Sequence, residues 1–238
     1  MSEEIHPFTI SVNEDQISDL NARLSATRWP DQIPDSGWDY GCDQVWLKDL
    51  ARYWAEEFDW RATENQINSF NHFLTEIDNQ SFHFIHQKSP HEGALPLVLN
   101  HGWPGSVVEF LEVIHPLTNP EVYGGDPSDA FHVVAPSLPG YGWSKPPTEK
   151  GWGVNRTASA FVTLMNRLGY DKYGVQGGDW GSMVSRHMAH LDPTKVVGCR
   201  VNMMAAGPAG NEDDLADITP QEQQHFDRIS WYAAEDNG

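Results

Sequence analysis

Cysteine is almost absent: Cys42 and Cys199 are the only two, far apart and without a C-x-x-C spacing. That excludes a disulfide framework and gives no zinc signature, so both read as inert packing residues. Basic residues are scarce as well, with 15 Lys and Arg against 34 Asp and Glu, a formal charge of −19. Such a balance argues against nucleic acid or an anionic membrane as partner and reads as a solubility feature. No apolar run approaches the roughly 18 residues needed to cross a bilayer. Met1-Ser2-Glu3-Glu4 lacks the basic flank and apolar stretch of a signal peptide, so a soluble, cytoplasmic protein is expected.

What is present suits a globular protein: 238 residues, 39% of them hydrophobic, enough for one α/β domain or one domain plus part of another. Ile17, Leu20 and Leu24 have helical spacing after a cap pair, Asn13 and Gln16. A second helical pattern runs from Asp43 to Phe58 through Val45, Leu47, Leu50, Tyr53 and Trp54. A third opens at a Thr63–Gln66 box and continues through Ile67, Phe70 and Leu74. Five of the ten tryptophans precede residue 61. Aromatics at this spacing are usually packing residues, so the segment reads as helices laid across something larger.

The periodicity changes near residue 82. Phe82–His86, Leu95–Leu99 and Phe131–Ala135 are short strand-like runs, the last two almost wholly apolar, as in a parallel sheet covered on both faces. Helices are expected after a Ser106–Glu109 capping box and over Thr157–Leu168, and a further strand over Lys195–Asn202. Thr219-Pro220-Gln221-Glu222 opens a last helix with the stripe Phe226, Ile229 and Ala233.

Within this alternation, Gly177-Gly178-Asp179-Trp180-Gly181-Ser182 lies between the strand-like run Tyr173–Gln176 and a helix over Met183–Leu191. Strand, sharp turn and helix with small flanking residues have the form of a nucleophile elbow, here with Asp179 at the reactive position. A carboxylate there attacks carbon and yields an alkyl ester. Taken alone, the run is equally a Gly-rich turn. A second element agrees with it. His101-Gly102-Trp103-Pro104-Gly105-Ser106 ends the Leu95 strand, where the N–H of Trp103, with that of Trp180, suits a developing oxyanion. The plainer reading of His101-Gly102 is a tight turn with a core histidine.

The chain resembles the epoxide hydrolases of the microsomal type within the α/β-hydrolase superfamily. The resemblance rests on Thr27-Arg28-Trp29-Pro30-Asp31, Trp38-Asp39-Tyr40-Gly41, Tyr53-Trp54, Asp59-Trp60-Arg61, the His101–Ser106 run, Pro136-Ser137-Leu138-Pro139-Gly140-Tyr141-Gly142 and the Gly177–Ser182 run, in the family's order. It implies an α/β-hydrolase fold, a mostly parallel sheet flanked by helices, with an N-terminal epoxide-hydrolase arm over 1–80, the first part of the core over 81–210 and the start of a cap over 211–238. It implies Asp179 as nucleophile, Trp103 and Trp180 as oxyanion-hole donors, a cis bond before Pro104, a small apolar epoxide and water as substrates, and no metal or organic cofactor. The membrane anchor of animal members is missing, which favours a soluble, microbial-type member.

In this fold the acid and the histidine follow the nucleophile. His187 and His190 lie on the elbow helix, His187 roughly 12 Å along it at 1.5 Å per residue, and His225 on the last helix. All three read as structural or solvated, and Asp213, Asp214 and Asp217 read as a solvated loop. Tyr232 reads as part of the last helix's packed stripe rather than a cap tyrosine that binds the epoxide. The expectation is therefore a nucleophile-bearing portion, incomplete for turnover alone. Its last strands, histidine, acid and cap tyrosines would come from a complementary C-terminal segment or chain. An open sheet edge would favour association, a homodimer included. Two rivals stay open: a haloalkane dehalogenase, because an Asp-Trp elbow and a His-Gly-x-Pro turn suit that family too, and a non-catalytic hydrolase-like binding module.

Overall fold

The computed structural model describes residues 4–204 and 216–236. The chain enters through β1 (Ile5–Phe8), passes three helices, α1 (Glu14–Ser25), α2 (Gln44–Glu56) and α3 (Trp60–Ile67), and lays down β2 (His72–Ile77) and β3 (Gln80–Gln87). Strands and helices then alternate: β4 (Leu95–Asn100), α4 (Leu111–Thr118), β5 (Phe131–Pro136), α5 (Val154–Arg167), β6 (Tyr173–Gly177), α6 (Trp180–Leu191) and β7 (Val196–Val201). All seven strands share one sheet in the order β1-β2-β3-β5-β4-β6-β7. The β5-β4-β6-β7 half is parallel, and β1, β2, β3 and β5 pair antiparallel.

Side-chain alternation along the strands divides the core between the two faces. Phe84, Val98, Val134 and Val175 point to the face covered by α5 and α6, where Phe161, Leu164, Met165, Val184 and Met188 are buried. Their neighbours Ile85, Leu99, Val133 and Ala135 point the other way, onto Ile67 of α3 and Leu111 and Ile114 of α4. The apolar runs at 95–99 and 131–135 are thus strands buried on both sides, as their composition suggests.

The first 80 residues differ from the sequence expectation in three ways. They are not helices alone, because β1 and β2 extend the sheet. The third helix is capped by Asp59, whose side chain accepts from the Ala62 N–H, and it ends at Ile67; Phe70 lies beyond it and Leu74 lies in β2. Periodicity misled here because His72–Ile77 also has a strand's alternation, with Thr75 and Ile77 buried on one face. Finally, neither α1 nor α2 holds a buried residue, and Trp38 is 60% and Trp54 46% exposed, so these aromatics are not core packing. The segment is tied down through polar groups: the Val12 N–H donates to Glu64 at 2.7 Å, Arg61 reaches both Glu64 and Glu14, and Asn68 exchanges two hydrogen bonds with the Ile10 backbone.

Buried histidines join this arm to the core. The His72 ring meets the Ile67 carbonyl at 2.7 Å and the His83 ring at 2.9 Å, and His83 meets the Ser137 hydroxyl at 2.9 Å. Burial pushes both rings below the ordinary histidine value, His83 to about 3, so both are neutral. The hydrogens then run one way, from Ser137 to His83 to His72 to the Ile67 carbonyl.

The Thr157 expectation is late by three residues, almost a full turn: α5 starts at Val154, after the extended Gly153. The chain divides into two compact units, Met1–Met203 and Met204–Gly238. In the second, α7 (Pro220–Trp231) carries the Thr219–Glu222 capping box in full. Its expected stripe is not buried: Phe226 is half-buried, Ile229 and Tyr232 are exposed, and the Ala233 side chain lies outside the described residues. Asp213 and Asp214 also lie outside them; Asp217 is exposed. Among the described residues, no helix is long and apolar enough to cross a membrane, and no group of His, Cys, Asp and Glu could hold a metal ion.

Candidate active site

In the parallel half, the chain leaves β4 toward β5 on one side and leaves β6 toward β7 on the other. Loops at the carboxyl ends of these neighbouring strands diverge, which opens a crevice where α/β sheets place their ligands. The two runs singled out in the sequence are these loops. Register pairs Asn100 with Gly177, so residues 101–106 and 178–180 emerge side by side.

Asp179 stands between β6 and α6 at φ 51° and ψ −127°, a left-handed backbone seldom adopted by a residue with a side chain. Close packing enforces this turn. A Cβ on Gly181 would stand 2.0 Å from the Asn100 carbonyl oxygen, and one on Gly102 2.5 Å from the Asp179 Cβ. The elbow's small residues are what let α6 approach β4.

The Asp179 side chain is fed by backbone donors. The Trp103 N–H donates to its Oδ1 at 2.7 Å, across a turn whose Trp103–Pro104 peptide is cis, as the sequence suggests. The Trp103 bond first, and then the Trp180 N–H at the start of α6, hold the carboxyl below the usual range, against a small opposing effect of burial. Asp179 is therefore an anion at neutral pH, half-buried, with backbone N–H groups aimed at it. The three residues picked from the sequence, Trp103, Asp179 and Trp180, do come together.

His101 does not join them. It is 1% exposed, with Nδ1 on the Gly102 carbonyl and Nε2 accepting from the Leu138 N–H, and burial holds its pKa down. It is a core histidine that ties two loops together. His187 spends its ring on the Met183 carbonyl, one helical turn back, and His190 is exposed.

The crevice around Asp179 encloses about 370 Å³ and is lined by Gly102, Trp103, Pro104, Glu109, Gly178 and Asn202. An apolar hollow of about 240 Å³, with Leu138, Tyr141, Trp152 and Val184 on its walls, has Trp180 as one of its sides. Sequence reasoning missed Glu109 and Asn202 as pocket residues, since only the pairing of β4, β6 and β7 brings them beside Asp179. A larger groove, about 680 Å³, lies among Leu20, Leu50, Tyr53, Trp54 and Trp60 in the arm; its walls are mostly apolar, without a strained carboxylate like Asp179.

Residues 5–110 match the family model described as the epoxide hydrolase N terminus, and residues 96–219 the alpha/beta hydrolase fold. A putative epoxide hydrolase of Stigmatella aurantiaca is 44% identical over 220 residues, covering 92% of this chain and 50% of that protein. Epoxide hydrolase 1 of Oryctolagus cuniculus is 40% identical over 205 residues, 84% of this chain and 45% of that one. The solved structure of Aspergillus niger epoxide hydrolase superposes with a TM-score of 0.77 at 33% identity, covering 97% of this chain and 60% of that one. The chain thus spans about half the length of the curated relatives it matches. It belongs to the α/β-hydrolase family, in the branch that carries the epoxide hydrolase N terminus.

Proposed function

We propose that the protein opens epoxides through an ester on Asp179. With Oδ1 held by the Trp103 N–H, the attack on an epoxide carbon comes from Oδ2. The new C–O bond forms as the ring C–O bond breaks, and the ring oxygen leaves as an alkoxide that takes a proton. Water then attacks the Asp179 carboxyl carbon. The resulting oxyanion lies where the N–H groups of Trp103 and Trp180 point, and its collapse returns the carboxylate and releases a vicinal diol. One water is consumed, and the scheme calls on no metal or organic cofactor. The apolar hollow beside Trp180 suits a small apolar epoxide.

A single observation carries this reading: an ionised carboxylate on a strained strand-to-helix turn, with a backbone N–H 2.7 Å from one of its oxygens. The names of the relatives favour an epoxide over a haloalkane and an enzyme over a binding module. We further assign residues 1–80 to an arm, 81–210 to the core and 211–238 to the start of a cap, in a cytoplasmic protein. In this reading the base, its acid and the cap tyrosines come from a further segment or chain.

The test is trapping. The protein is incubated with styrene oxide and, separately, with a haloalkane, and the peptide that contains Asp179 is weighed by mass spectrometry. An adduct from the epoxide alone is expected, and Asp179→Asn abolishes it because an amide is a poor nucleophile of the same shape. Labelling elsewhere, or equal labelling of the Asn variant, refutes the assignment.

A further inference from the structure

The Trp103 N–H belongs to a short turn with two glycines and a proline, on a residue that is itself 65% exposed. Something must hold this turn if the N–H is to stay on Asp179. The elbow meets the start of the turn, at Gly102 and Trp103. The next residues supply a candidate. Ser106 caps the 3₁₀ turn Val107–Phe110, its hydroxyl oxygen accepting from the Val108 N–H. The Ser106 N–H faces the Glu109 carboxylate and draws its pKa down.

That carboxylate folds back over the turn. A Cβ built on Gly105 would stand 1.3 Å from Glu109 Oε1, so the oxygen occupies the space that a side chain at 105 would fill. Glu109 and Asp179 border the same crevice. Although Glu109 is exposed as a residue, partial burial of its carboxyl raises its pKa; the Ser106 N–H opposes this and the nearby charge of Asp179 adds to it.

We propose that Glu109 is a positioning residue of the nucleophile site: its carboxylate, seated over Gly105 and facing the Ser106 N–H, clamps the 103–106 turn so that the Trp103 N–H stays on Asp179. The link from this clamp to catalysis rests on the proposed role of Asp179; the clamp itself does not. Gly105 is required to be small for the same reason that Glu109 is required to be an acceptor.

The experiment uses protein labelled with ¹⁵N only at tryptophan, in which the amides of Trp103 and Trp180 report on the two donors separately. Hydrogen exchange at pH 7 is compared in the parent, E109L, E109Q and G105A. E109L removes the acceptor at similar bulk. G105A keeps the glutamate but takes its seat, and since the displaced group is the end of a flexible side chain the fold is expected to survive. Exchange at Trp103 is expected to quicken about tenfold or more in E109L and G105A, with Trp180 unchanged. E109Q, whose amide has the same shape and keeps an oxygen to seat over Gly105, stays near the parent at Trp103.

Unchanged exchange at Trp103 in both E109L and G105A overturns the proposal, as does equal quickening at Trp180, which marks general loosening. The rate of styrene oxide adduct formation at Asp179 is read on the same samples and is expected to fall roughly ten- to a hundred-fold in E109L and G105A. If the exchange pattern holds while the parent forms no adduct, the clamp stands and the nucleophile assignment fails.

Discussion

Asp179 shows how much one residue's chemistry depends on its backbone. A surface aspartate has ordinary acidity and no fixed direction. Here a φ of 51° and the Trp103 N–H give it a depressed pKa and one committed oxygen. The conformation persists because the surroundings leave no alternative, and Gly181 is the tightest of them. Gly181→Ala places a methyl group 2.0 Å from a backbone oxygen that cannot move without shifting β4. The expected cost is on the order of 1–3 kcal/mol or more, as for overpacking, together with loss of the styrene oxide adduct. Urea unfolding read beside adduct mass checks both, and a G181A protein with parental stability and labelling shows that the close approach is not required.

At the scale of elements, the arm is fastened by Ile10, Ile67 and Phe70 in the core and by buried or half-buried polar groups beside them. Glu64 is the centre of that fastening, accepting from the Val12 N–H and from Arg61. The Val12 bond first, then Arg61, hold its carboxyl below the ordinary value against the effect of burial. A carboxylate with a lowered folded pKa contributes stability above its unfolded value of about 4.3, and that contribution is lost as pH falls through the folded pKa. Glu64→Gln is therefore expected to unfold at lower urea concentration than the parent at pH 7, with the gap narrowing below about pH 4. A constant gap across that range assigns the loss to packing instead.

The histidines linking arm and core act in a higher window. His72, His83 and His86 are held neutral by burial, His83 down to about 3 and His86 to about 4. Unfolded histidines take up protons near pH 6.5, so between about 6.5 and the folded values the unfolded state binds more protons and stability falls on acidification. Each such group contributes a slope approaching roughly 1.4 kcal/mol per pH unit within its window. Urea midpoints at pH 7, 6 and 5 should decline steadily, well above the carboxylate range. A flat profile from 7 to 5 means that these rings protonate in the folded state.

For the whole molecule, the decisive expectation concerns the second half of the reaction. Among the described residues, His101 and His187 spend ring nitrogens on backbone groups, so in the proposed scheme neither serves as the base for the ester. General-base help is worth roughly 10²–10⁴-fold, so residues 1–238 alone should form the Asp179 ester and release it slowly. Steady-state diol production by the purified chain, with intact mass excluding a second polypeptide, is the measurement. Many turnovers per chain under those conditions remove the need for a further segment.

Much of this was determined by sequence alone. Apolar runs at 95–99 and 131–135 can be satisfied only by strands covered on both faces, and Gly177–Ser182 is legible as an elbow because strand, small residues and helix signals are all local. Even the Trp103 donor is legible, since its turn ends a buried strand. Local signals failed where two periods overlap, as at His72–Ile77, and where a helix's apolar stripe is left half exposed, as with Trp54. What only the tertiary structure decided is everything that depends on distant segments meeting: β1 and β2 extending the sheet, the His72–His83–Ser137 chain, and Glu109 and Asn202 beside Asp179. Periodicity specifies which face of an element is apolar. It carries no information on which strand will be the neighbour, and the neighbour β4 is what sets two loops 76 residues apart at 2.7 Å.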